Sequence, residues 1–196
     1  MLEEILDYRN ITKALQQVIS NKGAGGVDGM QTDELREWLE ENWGRLRHSI
    51  LEGSYRPSPV RKVEIPKASG GTRTLGIPTV VDRLLGQAIH QWLSRQYEAG
   101  FSENSYGFRE GRSAHQAIER AKKCLEEGKV WVVEMDLDKF FDRVNHDKLM
   151  GLLAKRITDK RTLKLIRAQL NSGIMEGGLA SSRTEGTHRE VHCRPS

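Results

Sequence analysis

Apolar residues recur along the chain at two spacings, and each spacing predicts its own kind of element. Over residues 32–50, Leu35, Trp38, Leu39, Trp43, Leu46 and Ile50 form one helical stripe opposite a run of acidic side chains, which predicts a packed helix. Val81, Leu84, Leu85, Ala88, Ile89 and Trp92 repeat the pattern, as do Ala114, Ala117, Ile118, Ala121 and Leu125, the latter bracketed by Ser113 and Gly128. Leu149, Leu152, Leu153 and Ile157 mark a further helix. Between these, Arg61–Ile65 and Thr72–Ile77 flank Ala68-Ser69-Gly70-Gly71, which reads as a hairpin with a flexible, basic tip. Residues 129–137, Lys-Val-Trp-Val-Val-Glu-Met-Asp-Leu, are mostly apolar and rich in valine, as expected of a strand buried on both faces that ends on carboxylates. The chain is therefore an α-and-β mixture with no repeat and no low-complexity tract.

Composition adds a surface to this core. The 196 residues have room for one domain, or for one and a piece of another. An apolar fraction of 37% against 30% charged residues leaves a surface that is largely charged or covered by something polar. The net charge is only +4 and the isoelectric point about 9.1, but the charge is unevenly spread. Asp33, Glu34, Glu37, Glu40 and Glu41 cluster early, whereas Lys155, Arg156, Lys160, Arg161, Lys164 and Arg167 are countered only by Asp159. Such a stretch fits a polyanion or a solvated helix face, and charge alone leaves both open. Cys124 and Cys193 are too few for a disulfide framework, and the start lacks a basic region followed by an apolar core. The expectation is a soluble, cytoplasmic protein without a membrane partner.

Three segments carry candidate chemistry. In Glu134-Met135-Asp136-Leu137-Asp138, alternation puts Asp136 and Asp138 on one face of an extended strand, hard oxygen donors of the kind Mg²⁺ takes; the plainer alternative is a strand end fraying into solvent. Lys67 and Arg73, on either side of Gly70-Gly71, form a point charge and a fork that suit a triphosphate, or else a merely exposed basic hairpin. Asn104-Ser105-Tyr106-Gly107-Phe108-Arg109, running through Arg112 into a helix, offers backbone amides, arginines and aromatics to a nucleic-acid strand. Cys124, near an apolar stripe, reads as a small core residue, and His146 as part of the turn after the strand.

Taken in order, these segments resemble the successive blocks of group II intron reverse transcriptases. The resemblance runs from about Tyr8 to Thr187 and includes Gly25-Gly26-Val27-Asp28-Gly29, the Ile65-Pro66-Lys67 to Gly76-Ile77-Pro78 loop, Ser105 to Arg109, and Asp136 to Asp142. It implies an α+β right-hand polymerase fold, with mainly helical fingers and a β-hairpin over 1–125 and an incomplete palm over 126–187. It implies RNA-directed DNA synthesis with Mg²⁺, an RNA template and intron RNA, a DNA primer and deoxynucleoside triphosphates. By the same resemblance Asp136 is the catalytic, metal-binding aspartate, with the Leu137 carbonyl as an additional ligand and Phe141 as the steric gate against ribonucleotides. Lys67 and Arg73 hold the nucleotide's phosphates, and the segment from Asn104 to Arg109, with Tyr106 and Phe108, contacts template or nucleotide; beside the resemblance, the basic side chains of Arg61, Lys62, Arg109 and Arg112 suit nucleic-acid phosphates.

The sequence departs from the pattern at its end, where no Pro-Gln-Gly-Gly-Pro-Leu-Ser-Pro block and no Tyr-Ala-Asp-Asp box appears. His188 to Ser196 can be back-translated so that one added cytosine yields Pro-Gln-Gly-Gly-Pro-Leu-Ser-Pro-Ile. The expectation is a single-nucleotide deletion that leaves 188–196 as an out-of-frame tail, with His188, His192 and Cys193 an accidental set of ligand types. The chain would then bind RNA without polymerising by itself, and an open palm edge would favour self-association or poor order over 170–196. The competing reading is a non-catalytic, maturase-like RNA-binding module.

Overall fold

The computed structural model of the chain describes residues 1–66, 70–137, 140–176, 179–181 and 186, without the side chains of Arg73, Asp142, Glu176, Leu179 and Ala180. Its core is helical. The stripe over 32–50 becomes α3 (Leu35–Leu51), burying Leu35, Leu39, Leu46 and Ile50, with Trp38 and Trp43 packed against its margin. The next stripe becomes α4 (Val80–Tyr97), every predicted position of which is buried. Thr79 starts α4 by accepting the Asp82 amide at 3.2 Å, which satisfies one of the amides a helix start leaves unpaired.

Two further helices precede these. α1 (Leu2–Ile5) and α2 (Tyr8–Ser20) pack on α4. The signal was present for α2: Ile11, Ala14, Leu15 and Val18 lie at one-face spacing, and Asp7 caps the helix by accepting from the Arg9 amide at 2.9 Å. Asn10 is buried between α1 and α4 because its amide nitrogen reaches two carbonyls, Ile5 at 2.8 Å and Ala88 at 3.0 Å.

The predicted hairpin forms as β1 (Val60–Pro66) and β2 (Thr72–Ile77), antiparallel and in register from Arg61 opposite Ile77 to Pro66 opposite Thr72. Gly70 and Gly71 have φ of +87° and +82°, a conformation that costs glycine nothing. Two further strands were not predicted. β3 (Ile174–Glu176) joins β1 in parallel and β4 (Leu179–Ser181) pairs with β3, giving the order β2-β1-β3-β4. The helices between, α6 (His146–Ala154) and α7 (Lys160–Leu170), bring Ile157, Leu165 and Ile166 into the same core as α1 to α4. The later part of the chain thus returns to the first hundred residues. The basic stretch 155–167 is not one helix; it breaks between α6 and α7.

Two expectations need correction. Residues 129–137 form no strand: Val130, Trp131, Val132, Val133 and Met135 are all more than 70% exposed. A central strand exists only through ladder bonds on its edges, and the described strands pair with one another, none with this run. The helix predicted after Ser113 does form, as α5 (Ala114–Glu126), but it buries no residue. Its local signals suffice to start it: Ser113 accepts the Gln116 amide while Gln116 accepts the Ser113 amide, a reciprocal capping box. Its apolar stripe is left largely exposed, and Cys124 is half-exposed and not part of the core.

Candidate functional site

The hairpin is held to the helical core at its base. Asp82, in the first turn of α4, is 3% exposed. Its Oδ1 accepts from the Tyr55 hydroxyl at 2.6 Å, and its Oδ2 from Thr79 Oγ1 at 2.7 Å and from the Ser58 amide at 3.0 Å. One carboxylate therefore ties the segment leading into β1 to the start of α4. Burial pushes the Asp82 carboxyl above its ordinary value against these three donors, and the same burial, with the Asp82 charge, pushes the Tyr55 hydroxyl up. The glycine block of residues 23–29 docks at this junction: a Cβ on Gly26 would lie 2.6 Å from Thr79 Cα, and Arg83 Nη2 donates to the Ala24 carbonyl at 2.6 Å. On the hairpin itself Arg61 is exposed and Lys62 lies 3.3 Å from Glu64. Lys67 and the Arg73 side chain fall outside the described residues; the Arg73 backbone sits in β2 opposite Ile65.

The segment from Phe101 to Arg112 is a loop built around Arg109. That side chain is only 8% exposed. It gives Nε and Nη2 to Glu98 at 3.0 and 2.6 Å and Nη1 to the carbonyls of Ser102 and Ser105 at 2.7 and 2.8 Å, and it lies over the Phe101 ring. A fork so fully used organises the loop. Phe108, beside it, is 97% exposed with φ +56°, a conformation strained for a bulky residue. Tyr106 lies under the Arg112 guanidinium at 5.6 Å, and Asn104 accepts from Arg120 at 3.2 Å.

Asp136 stands in the exposed run, its Oδ1 accepting the Leu137 amide at 2.9 Å. Phe141 lies in a 3₁₀ turn, Phe140–Asp142, its ring edge-on to Phe140 with centroids 5.4 Å apart. Asp138 and the Asp142 side chain are not among the described residues. Mg²⁺ asks for near-octahedral oxygen ligands, and among the described residues no three metal-binding side chains gather anywhere. One carboxylate and the Leu137 carbonyl do not by themselves fit the ion. His146, expected in a turn, is instead the first residue of α6, 2% exposed and bonded through both ring nitrogens. The tail 188–196 lies outside the described residues.

Charge is distributed by function of place. Arg161 pairs with Glu3 and Asp159, Arg167 with Asp147, and Arg156 lies over Tyr97 at 4.7 Å, so these three are engaged within the molecule. Lys155, Lys160 and Lys164 are exposed. Elsewhere a groove of about 510 Å³ is lined by Asp28, Glu34, Glu37 and Glu41, a face that repels a polyanion. No helix among the described residues is long and apolar enough to cross a membrane.

Comparison with known proteins agrees with the ordered blocks. The family described as reverse transcriptase (RNA-dependent DNA polymerase) matches residues 65–191. The chain is 37% identical over 182 residues to protein YkfC of Escherichia coli, covering 90% of this chain and 48% of that protein. It is 36% identical over 175 residues to the group II intron-encoded protein LtrA of Lactococcus lactis, covering 89% and 29%. It is 32% identical over 143 residues to nuclear intron maturase 1 of Arabidopsis thaliana, covering 69% and 20%. The chain spans about half or less of the length of these relatives.

Proposed function

The chain belongs to the reverse transcriptase family, among relatives encoded by group II introns, and from this premise we propose that it is the fingers and part of the palm of an RNA-directed DNA polymerase of right-hand fold. In this reading residues 1–125 are fingers and 126–187 a partial palm. The hairpin presents Lys67 and Arg73 to the triphosphate, Phe141 excludes the ribose 2′-hydroxyl, and the loop from Asn104 to Arg112 lies along nucleic acid. Asp136 and the Leu137 carbonyl would contribute to holding a Mg²⁺ ion, which would supply charge neutralisation at the transferred phosphate. The residues of this chain bind and orient: Asp82 and Gly26 hold the base of the hairpin, and Arg109 shapes the loop.

The observation that carries the reading is the placing of the matched blocks. The glycine block and the segment leading into the hairpin meet at Thr79–Asp82, which supports reading them as parts of one site. The first half of the reading is that these residues bind RNA; the second, that they do not extend a primer by themselves, is supported by Asp136 having no metal-binding cluster around it among the described residues. Filter binding of a structured intron RNA at several salt concentrations, paired with primer extension on the same preparation, tests both halves. Binding that weakens steeply with salt and no extension is expected. Extension would overturn the second half, and absent or salt-insensitive binding the first.

A further inference from the structure

Gly186 is held to the start of α6 at two points. Its amide donates to the Val144 carbonyl at 2.9 Å, and its carbonyl lies 2.7 Å from His146 Nε2. A carbonyl only accepts, so the imidazole is in its Nε2–H form at this contact. In a neutral ring Nδ1 then accepts, which turns the nitrogen of the Asn171 amide toward it; that amide's polar atom sits 3.2 Å away, and its oxygen and nitrogen are isosteric. An imidazole 2% exposed is costly to bury unless both nitrogens are bonded, and here both are. The ring therefore joins three places: the start of α6, capped by Asn145 to the Lys148 amide; the end of α7, where Asn171 follows the last turn; and Gly186, 40 residues on, with φ +82°.

With both nitrogens occupied and no access to solvent, His146 is not placed to be a base or a ligand. What it does is fix a point. Val144 follows Phe141 by three residues, so at about 3.8 Å per step its Cα is no more than about 11 Å from that of Phe141. We propose that His146 is a positioning residue for the nucleotide site: by holding the Gly186 carbonyl it fixes Gly186 against Val144, two residues past the Phe140–Asp142 turn. The proposal rests on the reading of Phe141 as the wall of that site. Gly186 is pinned at both its amide and its carbonyl, and the histidine supplies the half of that pin that a side chain can control.

Hydrogen exchange at the Gly186 amide, followed by nuclear magnetic resonance on the full 196-residue chain, tests the proposal with wild type, His146→Leu and His146→Gln. Leucine fills the space without a donor, and glutamine carries an amide N–H about as far as Nε2. Losing a hydrogen bond worth about 1 kcal/mol accelerates opening about fivefold, so Gly186 is expected to exchange at least about fivefold faster in the leucine variant. The amides of α2 and α4 should keep their rates, and glutamine should restore protection at Gly186. Equal exchange in wild type and the leucine variant overturns the proposal, as does acceleration spread evenly over the core, which marks a merely structural residue. Nitrogen-15 shifts of the wild-type ring give an independent check if a variant does not fold: a proton on Nε2 is expected, and its absence overturns the proposal. None of these readouts involves nucleotide. Phe141→Ala, assayed for lost preference of deoxyribonucleoside over ribonucleoside triphosphates in equilibrium binding, tests the wall separately, so failure of that reading is distinguishable from failure of the anchor.

Discussion

Two carboxylates show how the same side chain serves opposite ends. Asp159 caps α7 by accepting the Arg161 amide at 2.9 Å, receives the Leu2 amide at 3.2 Å, and pairs with the Arg161 guanidinium. Partial desolvation pushes its carboxyl up, but those donors together outweigh it and hold the group at about 2. Because the folded value is depressed, Asp159 contributes stability that is present above its ordinary value and is lost as pH falls toward about 2. Asp82 is raised, so the contribution of its neutral form is full below the ordinary value and fades as pH rises through the raised one. Thermal melting of Asp159→Asn between pH 2 and 4 should therefore show a flatter acid limb than wild type; an unchanged limb would mean the carboxylate is not held. At neutral pH Asp159→Ala should cost about 1–2 kcal/mol, the usual loss of an N-cap with a second bonded amide, read by urea denaturation.

At the scale of elements, the contrast lies between those that are anchored and those that merely form. The hairpin depends on the meeting of the glycine block, Thr79 and Asp82. Gly26→Ala would drive a methyl to 2.6 Å from backbone that cannot yield, and should destabilise the chain by about 1–3 kcal/mol, the range for overpacking. A denaturation midpoint equal to that of wild type would show that the loop is free to move away. α5 is the counter-example. It buries no residue, so Ile118→Ala should change stability by no more than about 0.5 kcal/mol, whereas Leu84→Ala in α4, fully buried, should cost about 2–5 kcal/mol. Equal effects of the two would mean α5 packs on the core in solution.

At the scale of the whole molecule, the described residues leave the run after α5 uncovered. Val130, Trp131, Val132, Val133 and Met135 lie exposed in one continuous stretch, with backbone groups free of any ladder among the described strands. Such a segment pairs with whatever edge it meets. Sedimentation of the chain should show concentration-dependent self-association, relieved by Val132→Lys with Val133→Lys. A strict monomer across the concentration range, or association indifferent to those charges, would remove the run as its cause.

The sequence by itself determined the elements whose cause is local. The stripes of α3 and α4, the glycine-tipped hairpin and the capping box of α5 follow from spacing and short-range bonds, and the ordered blocks from Gly25 to Asp142 were enough to place the chain in its family. Asp7 and the stripe from Ile11 to Val18 show that α2 was legible too, though unread. What the tertiary structure alone decided were the matters settled by partners distant in sequence. A valine-rich run reads as a buried strand whether or not another strand lies beside it, because burial belongs to the neighbour and not to the run. Arg109 reads as a free charge until Glu98 and the carbonyls of Ser102 and Ser105 close around it. β3 is three residues long, too short to carry a period, and exists because β1 offers it a ladder. His146 offered no partner in the sequence, since Asn171 and Gly186 lie 25 and 40 residues away and meet it only when α6, α7 and the chain at 186 are folded together.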